Sequence, residues 1–525
     1  MRKIRERLAI VPSGFLAILL AGCKAVGPDF SAPHEAVPDA YAGASAAAAA
    51  AAAPTDTNPQ SFWWREFHDP DLDRLETETI AGNLDLKVDY LRIVAARLQV
   101  VQSRAQGLPG FSASAQVTHE QLGLAGIIKS QGLVSNTTSA STQNLISELE
   151  KPVNVYQLGF DASWELDLFG KVRRAVEAAK AQSAESVETR NDLLVTLHAE
   201  VAQNYLQLRA GQVLQRITRD LIADQRESLE LTKNRQMHGL AGEADVESAR
   251  AQLSSLESQL PPFDQQVASS RHALAVLTGR PPEALDSEFG STGELPVLPD
   301  DIDVGIPATL ARRRPDIRTA EAALHAATAQ VGVSVAALYP DITLKGSFGL
   351  RNVDTGYLFN WSSKFYSAEP AISLPIWQGG SLRATVKLSQ AAAAEAALNY
   401  RKTVLSALQE VEDGLTSLHD DAMRTAALKD AVGADQRALS INLDAYKKGL
   451  VNYITVLTVQ LQTVQARQQL AQSMLTQSTD LVRLYKALGG GWENTPGDSS
   501  DDTASSGAAT PAVPLAEMPS KQPAP

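Results

Sequence analysis

Two halves of this chain copy each other at fixed offsets, and every other reading has to fit that repeat. Asn83-Leu-Asp-Leu86 and Pro109 recur as Arg314-Pro-Asp-Ile317 and Pro340 at one constant offset. Gly170, Val172, Arg173 and Val176 recur as Gly380, Leu382, Arg383 and Val386 at a second, shorter one. Gly239, Leu240 and Val246 share that second offset with Gly449, Leu450 and Val456. The change of offset places a shorter loop inside the second half. Each half is therefore one unit of helix, strand, loop, strand and long helical hairpin.

The hairpins are read from long stretches without proline, Lys171 to Leu260 and Ser381 to Leu488. Each is interrupted once by a turn centred on a glycine, Gly239 in the first and Gly449 in the second, where a residue tolerant of positive φ is wanted. In the second return arm, positions 457, 461, 464, 468, 471, 475, 478, 482 and 485 step by alternating fours and threes and are mostly apolar, a coiled-coil seam. Pro261-Pro262 is expected to interrupt the first return arm, with a further helix running to Gly279. Further helices are expected over 72–106 and 307–337. Strands are expected at about 111–120, 153–166, 341–351 and 365–377, with Leu374 and Ile376 continuing the last apolar face.

The 525 residues carry a net charge of −13 with signs interspersed, which argues against nucleic acid as a partner. A single cysteine excludes an internal disulfide and a Cys-based metal site. Arg2, Lys3, Arg5 and Arg7, a short apolar run and Leu20-Ala-Gly-Cys23 read as a secretory signal over 1–22. The last four residues look like a bacterial lipobox, which would make Cys23 the lipidated first residue of the mature chain. Lys24 after that cysteine matches export to the outer membrane. Residues 23–61 form an extended segment with an Ala-rich spacer, and 491–525 are Ser-, Pro- and acid-rich and read as a disordered tail.

No pattern of residues carries catalysis. His residues stand singly, and there is no nucleophile elbow, phosphate loop or clustered metal ligand set, so neither an enzyme nor a cofactor is expected. Asp71 and Asp73 read as the acidic first turn of a helix, and His68 as structural.

Each expected strand has one apolar and one polar face, as outer-membrane barrel strands do. Four strands cannot close around a water-filled lumen, and an open edge in lipid leaves backbone groups unsatisfied. Closure by cyclic oligomerisation follows, and three copies give twelve strands. A solid coiled-coil spacer beside a soluble β-domain is the alternative that periodicity leaves open.

The chain resembles the outer membrane factor (TolC-like) family of tripartite efflux systems, in its lipoprotein branch resembling NodT and OprM. The residues carrying this are Cys23 with Val26-Gly-Pro-Asp-Phe30, Trp63-Trp64 with Phe67 and Asp69-Pro70, and Glu165-Leu-Asp-Leu-Phe-Gly-Lys-Val-Arg-Arg174. Arg313-Arg-Pro-Asp-Ile317, Tyr339-Pro340 and Gly379-Gly380 complete the set. The resemblance implies an α+β membrane protein, a homotrimer with a twelve-strand barrel in the Gram-negative outer membrane and a twelve-helix periplasmic tunnel. A small mixed equatorial region accompanies them. Repeats over 62–280 and 307–490 flank a connector at 281–306, with hairpins over 171–279 and 380–489. The implied role is the passive exit duct of an RND-type efflux system for small molecules, working with a periplasmic adaptor and an inner-membrane pump. A type I protein secretion duct shares the fold, and a non-channel structural lipoprotein is the third reading.

In this family the tips close the periplasmic end, often with acids beyond the second turn. Here those positions hold Thr455 and Thr458, while the first tip keeps Glu243, Asp245 and Glu247. Asp245 matches a family position that holds the channel shut. Together with Tyr446, Lys447 and Lys448 it forms the candidate latch, the lysines pairing with it across neighbouring helices.

Overall fold

A computed structural model describes residues 24–33, 38, 41, 61–121, 151–290, 293–299 and 312–493. A short 3-10 turn, Trp63–Phe67, leads into α1 (Pro70–Gly82) and α2 (Leu84–Ala105). Strands β1 (Gly110–Glu120) and β2 (Val153–Leu166) precede the first hairpin, α3 (Lys171–Met237) with α4 (Glu243–Leu277). The second half follows as α5 (Pro315–Ala336), β3 (Asp341–Asn352), β4 (Lys364–Ser373), α6 (Ser381–Lys447) and α7 (Tyr453–Leu488).

The four strands form one antiparallel sheet in chain order. β2 and β3 are neighbours although a whole helical hairpin separates them in sequence, so all helices leave and re-enter at one end of the sheet. The register brings most of the apolar residues of each strand to one face: Val117 opposite Tyr156, Phe160 opposite Phe348, Ile342 opposite Ile372. That face is bare, with Phe111, Phe160, Tyr366 and Ile372 all exposed. β4 stops at Ser373, short of the expected end. Its last pair is Asp341 with Ser373, and Pro340 and Pro375 on either side lack the N–H that would extend the ladder. Leu374 and Ile376 therefore lie beyond the strand, exposed.

The long arms α3 and α6 are 67 residues each, about 100 Å at about 1.5 Å per residue. The return arms α4 and α7, of 35 and 36 residues, cover only half that length. Near the sheet their place is taken by α2, packed on α3, and by α5, packed on both α3 and α6. In the seam of α7, Val464, Ala471, Leu475, Ser478, Val482 and Tyr485 are buried, while Leu461 is exposed.

Expected helix boundaries are also corrected. Pro261 and Pro262 do not interrupt α4, which runs through them. Each proline removes one ladder bond at a cost of about 3 kcal/mol, and the side of α4 packed on α3 holds the helix together. The pattern over 72–106 breaks instead at Asn83 (φ −56°, ψ 132°). Its carboxamide oxygen caps α2 by accepting from the N–H groups of Asp85 and Leu86 at 2.9 and 3.1 Å, and its Nδ2 donates to Leu277 O at 3.0 Å. The repeat-related Arg314 adopts the same geometry (φ −59°, ψ 124°), here because Pro315 disfavours the helical region before it. α5 thus starts at Pro315; residues 300–311 lie outside the described residues.

At mid-length the Trp63–Phe67 turn, α1, α4 and the end of α7 pack around the middle of α3. Trp63, Phe67, Leu72, Leu75, Tyr205 and Leu274 are fully buried there. Two of the acids at the start of α1 are absorbed by this belt, while among the described residues Asp73 Oδ1 is buried without a hydrogen-bond partner. Asp69 caps α1 and accepts from the Tyr205 hydroxyl at 2.6 Å, while Asp71 accepts from Arg209 at 2.7 Å. His68 closes the 3-10 turn in a left-handed conformation, its Nδ1 2.7 Å from Glu66 O. Beneath Trp64, His198 Nδ1 meets Glu76 Oε2 at 2.7 Å, both side chains closed off from solvent. Burial pushes the Glu76 carboxyl up to about 7, the imidazole opposing it.

Candidate functional site: the paired hairpin tips

Both long arms end in the same turn. Leu240 N–H donates to Arg235 O and Gly239 N–H to Gln236 O, at 2.8 and 2.9 Å. Leu450 N–H to Ala445 O and Gly449 N–H to Tyr446 O repeat the pattern, both at 2.9 Å. This is a Schellman motif, whose C′ residue must be left-handed, and Gly239 (φ 69°) and Gly449 (φ 79°) occupy it.

The candidate latch residues go to separate duties within one chain. The Asp245 carboxylate accepts from Gly242 N–H at 3.1 Å and caps its own helix α4. Glu243 is exposed in the same first turn, and Glu247 stands 3.9 Å from Arg250. Lys448 pairs with Asp444 at 3.0 Å on the same helix. Lys447 is exposed, with no ion-pair partner among the described residues. The chain's own fold therefore does not bring Asp245 to either lysine. Thr455 donates to the capping Asn452 Oδ1 at 2.8 Å, and Thr458 to Ile454 O at 2.8 Å. The first turn of α7 carries no acid.

The tips are held by Tyr446, one of the candidate latch residues, together with Arg235, Tyr453 and Gln225, which the sequence pattern did not single out. Arg235 Nη1 donates to Tyr446 O at 2.6 Å, and its guanidinium lies 4.4 Å from the Tyr446 ring centre. Tyr446 is buried and packs on Tyr453 at 5.7 Å. Gln225 Nε2 then ties Tyr453 Oη (3.1 Å) to Ala249 O (3.0 Å), joining α3, α4 and α7. Leu229, Val246 and Val456 fill the space between. Among the described residues, the Tyr446 hydroxyl and Arg235 Nε are buried without hydrogen-bond partners.

At the opposite end of the helices, residues 24–33 run as a strap across α3 and α5. Cys23 itself lies outside the described residues. Val26 N–H donates to Phe169 O at 3.1 Å, and the buried Arg174 donates to Val26 O at 3.2 Å and to Asp29 at 2.6 Å. Gly27 (φ +93°) passes so near α5 that a Cβ on it would stand 2.5 Å from Gly332 Cα. Phe30 stacks on His325 at 4.3 Å, and His325 Nε2 meets Glu177 at 3.1 Å.

Comparison with known proteins accords with this layout. The family model described as "Outer membrane efflux protein" matches residues 75–280 and 306–490. The chain is 31% identical over 492 residues to the antibiotic efflux pump outer membrane protein ArpC of Pseudomonas putida, covering 92% of this chain and 96% of that one. It is 30% identical over 497 residues to nodulation protein T of Rhizobium leguminosarum bv. viciae, covering 94% of each. Among solved structures, the outer-membrane channel OprN superposes with a TM-score of 0.77 at 30% identity, covering 89% of this chain and 99% of that one. The duplicated architecture, the amphipathic four-stranded sheet and these matches agree, and the chain belongs to the outer membrane efflux protein family.

Proposed function

We propose that this chain is one third of a passive exit duct, the outer-membrane channel of a tripartite efflux system for small molecules. The observation carrying this is the sheet. One continuous apolar face is exposed, and β1 and β4 each present an unpaired edge. In hydrocarbon such edges are untenable unless other copies close them. The helices beneath carry matching apolar surface at both flanks, with Leu91, Leu98 and Val101 on α2 and Leu388, Leu398 and Leu405 on α6 all exposed. Three copies give twelve strands, wide enough for a lumen, above twelve helical columns. The role of ArpC as part of an antibiotic efflux pump supports small-molecule cargo. Cys23 is the anchor in the inner leaflet, and a periplasmic adaptor joins the tips to an energised inner-membrane pump.

The test is electron microscopy of the detergent-solubilised chain combined with conductance in planar bilayers. A threefold ring with a central channel and measurable current is expected. A particle without a tunnel, or one that passes no current in any state, would sink the reading.

A further inference from the structure

A groove lies on the strap side of the chain, where α2 ends and α3 begins. Val172 and Val176 floor it, and Arg104, Arg173, Lys180 and His325 rim it, enclosing about 420 Å³. Its one acid, Glu177, is already bonded to Arg174 at 2.8 Å and to His325 at 3.1 Å. Arg104 and Lys180 have no ion-pair partner among the described residues, and both are exposed. The chain as a whole is acidic at −13, so this gathering of cations runs against its composition. Arg383 and Lys387 repeat the positive sign in the first turns of α6.

The level of the groove is given by the aromatics above it. Trp164 stands near the end of the apolar face of β2, and its Nε1 donates to Gly107 O at 3.0 Å. Tyr339 and Trp377, partly or largely exposed, stand at the corresponding ends of the second-half elements. Such a girdle marks the boundary between hydrocarbon and headgroups. Lys180 is only about 14 Å further along α3 than its first residue, at about 1.5 Å per residue.

We propose that this groove binds the phosphate headgroup of an anionic phospholipid of the inner leaflet, with Arg104 and Lys180 on the phosphate. Val172 and Val176 lie against the glycerol and first methylenes. The inference rests on the sheet standing in the bilayer.

The test uses the full chain in vesicles of equal phosphatidylethanolamine and phosphatidylglycerol, followed by detergent extraction and quantification of the lipid that stays bound. Wild type should retain phosphatidylglycerol in preference. Arg104→Gln with Lys180→Gln should weaken retention about 30-fold, from about 1 kcal/mol per basic residue at an anionic surface. Arg104→Lys with Lys180→Arg should keep it. Equal retention of both lipids by wild type, or unchanged retention by the glutamine variant, overturns the proposal. Complete displacement by millimolar inorganic phosphate also overturns it, assigning the groove to free phosphate. Bilayer current is measured on the same preparations: a conducting wild type without lipid preference defeats this inference and leaves the channel reading standing. The wild-type comparison decides even where a variant fails to assemble.

Discussion

Arg235 and Tyr446, 211 residues apart, join the two hairpin tips: the guanidinium donates to the Tyr446 carbonyl at 2.6 Å and covers its ring at 4.4 Å. A charge-assisted hydrogen bond contributes about 1.5–3 kcal/mol and the cation–π contact about 0.5–1 kcal/mol. Arg235→Ala should therefore loosen the tips by about 2 kcal/mol and raise single-channel conductance. Tyr446→Phe should cost nothing in thermal stability, because the hydroxyl it removes is buried without a partner. An Arg235→Ala channel with wild-type current would show that the tips are held elsewhere.

The latch across neighbouring copies is testable by charge exchange. Asp245 caps α4 in its own chain, and Lys447 has no ionic partner among the described residues. Asp245→Lys and Lys447→Asp should each raise conductance by removing an intersubunit attraction, and the double exchange should restore the closed state. Asp245→Lys also forfeits the cap, so its melting temperature should fall by the equivalent of about 1 kcal/mol, which the exchange does not recover. If conductance is unchanged in both single variants, Asp245 is a helix cap and nothing more.

The repeat made the plan of the chain legible, because the same offsets carry the strands, the long arms and their turns. What stayed hidden depends on contacts between distant residues. Arg235 sits in an ordinary helical pattern, and nothing local marks it as the partner of Tyr446. Asp245 looks like a free acid in sequence, yet the N–H groups left open at a helix start claim it first. Pro261-Pro262 looks like a stop, but packing of α4 on α3 outweighs a local preference of a few kcal/mol. Asn83, just after Gly82, breaks the helix through a carboxamide that also reaches Leu277 at the end of α4. The strap shows the same limit: Gly27 is one glycine among 33 until Gly332 is brought against it.

The buried pair of Glu76 and His198 predicts an unusual dependence on pH. The Glu76 carboxyl is raised to about 7 from an ordinary value of 4.5, so between those values the folded chain holds a proton that the unfolded chain has released. Stability from this group is full below about pH 4.5 and is lost as pH rises through 7, up to about 3 kcal/mol per chain at about 1.4 kcal/mol per unit. Apparent melting temperature should fall from pH 5 to pH 7.5 in the wild type and fall less steeply in Glu76→Gln, where the other buried carboxyls remain. Equal slopes in the two would remove Glu76 as the cause.

The strap gives the last prediction. Arg174 is buried where it holds Val26 O, Asp29 and Glu177, and Gly27 has no room for a side chain against Gly332. Gly27→Ala adds a Cβ 2.5 Å from a backbone atom that cannot move aside, at a φ that L residues avoid, and should lift the strap from α5. Arg174→Ala leaves Glu177 with His325 alone and should destabilise the chain by about 2 kcal/mol, less than for a fully buried pair because Asp29 is largely exposed. In both variants the segment after Lys24 should become open to trypsin in detergent, while the strap of the wild type resists it. Since Val26 is bonded to Phe169, three residues past the end of β2, lifting the strap also frees the segment after Lys24 from the end of the sheet. Resistance to trypsin equal to wild type in both variants would mean that other contacts along residues 24–33 suffice to hold it.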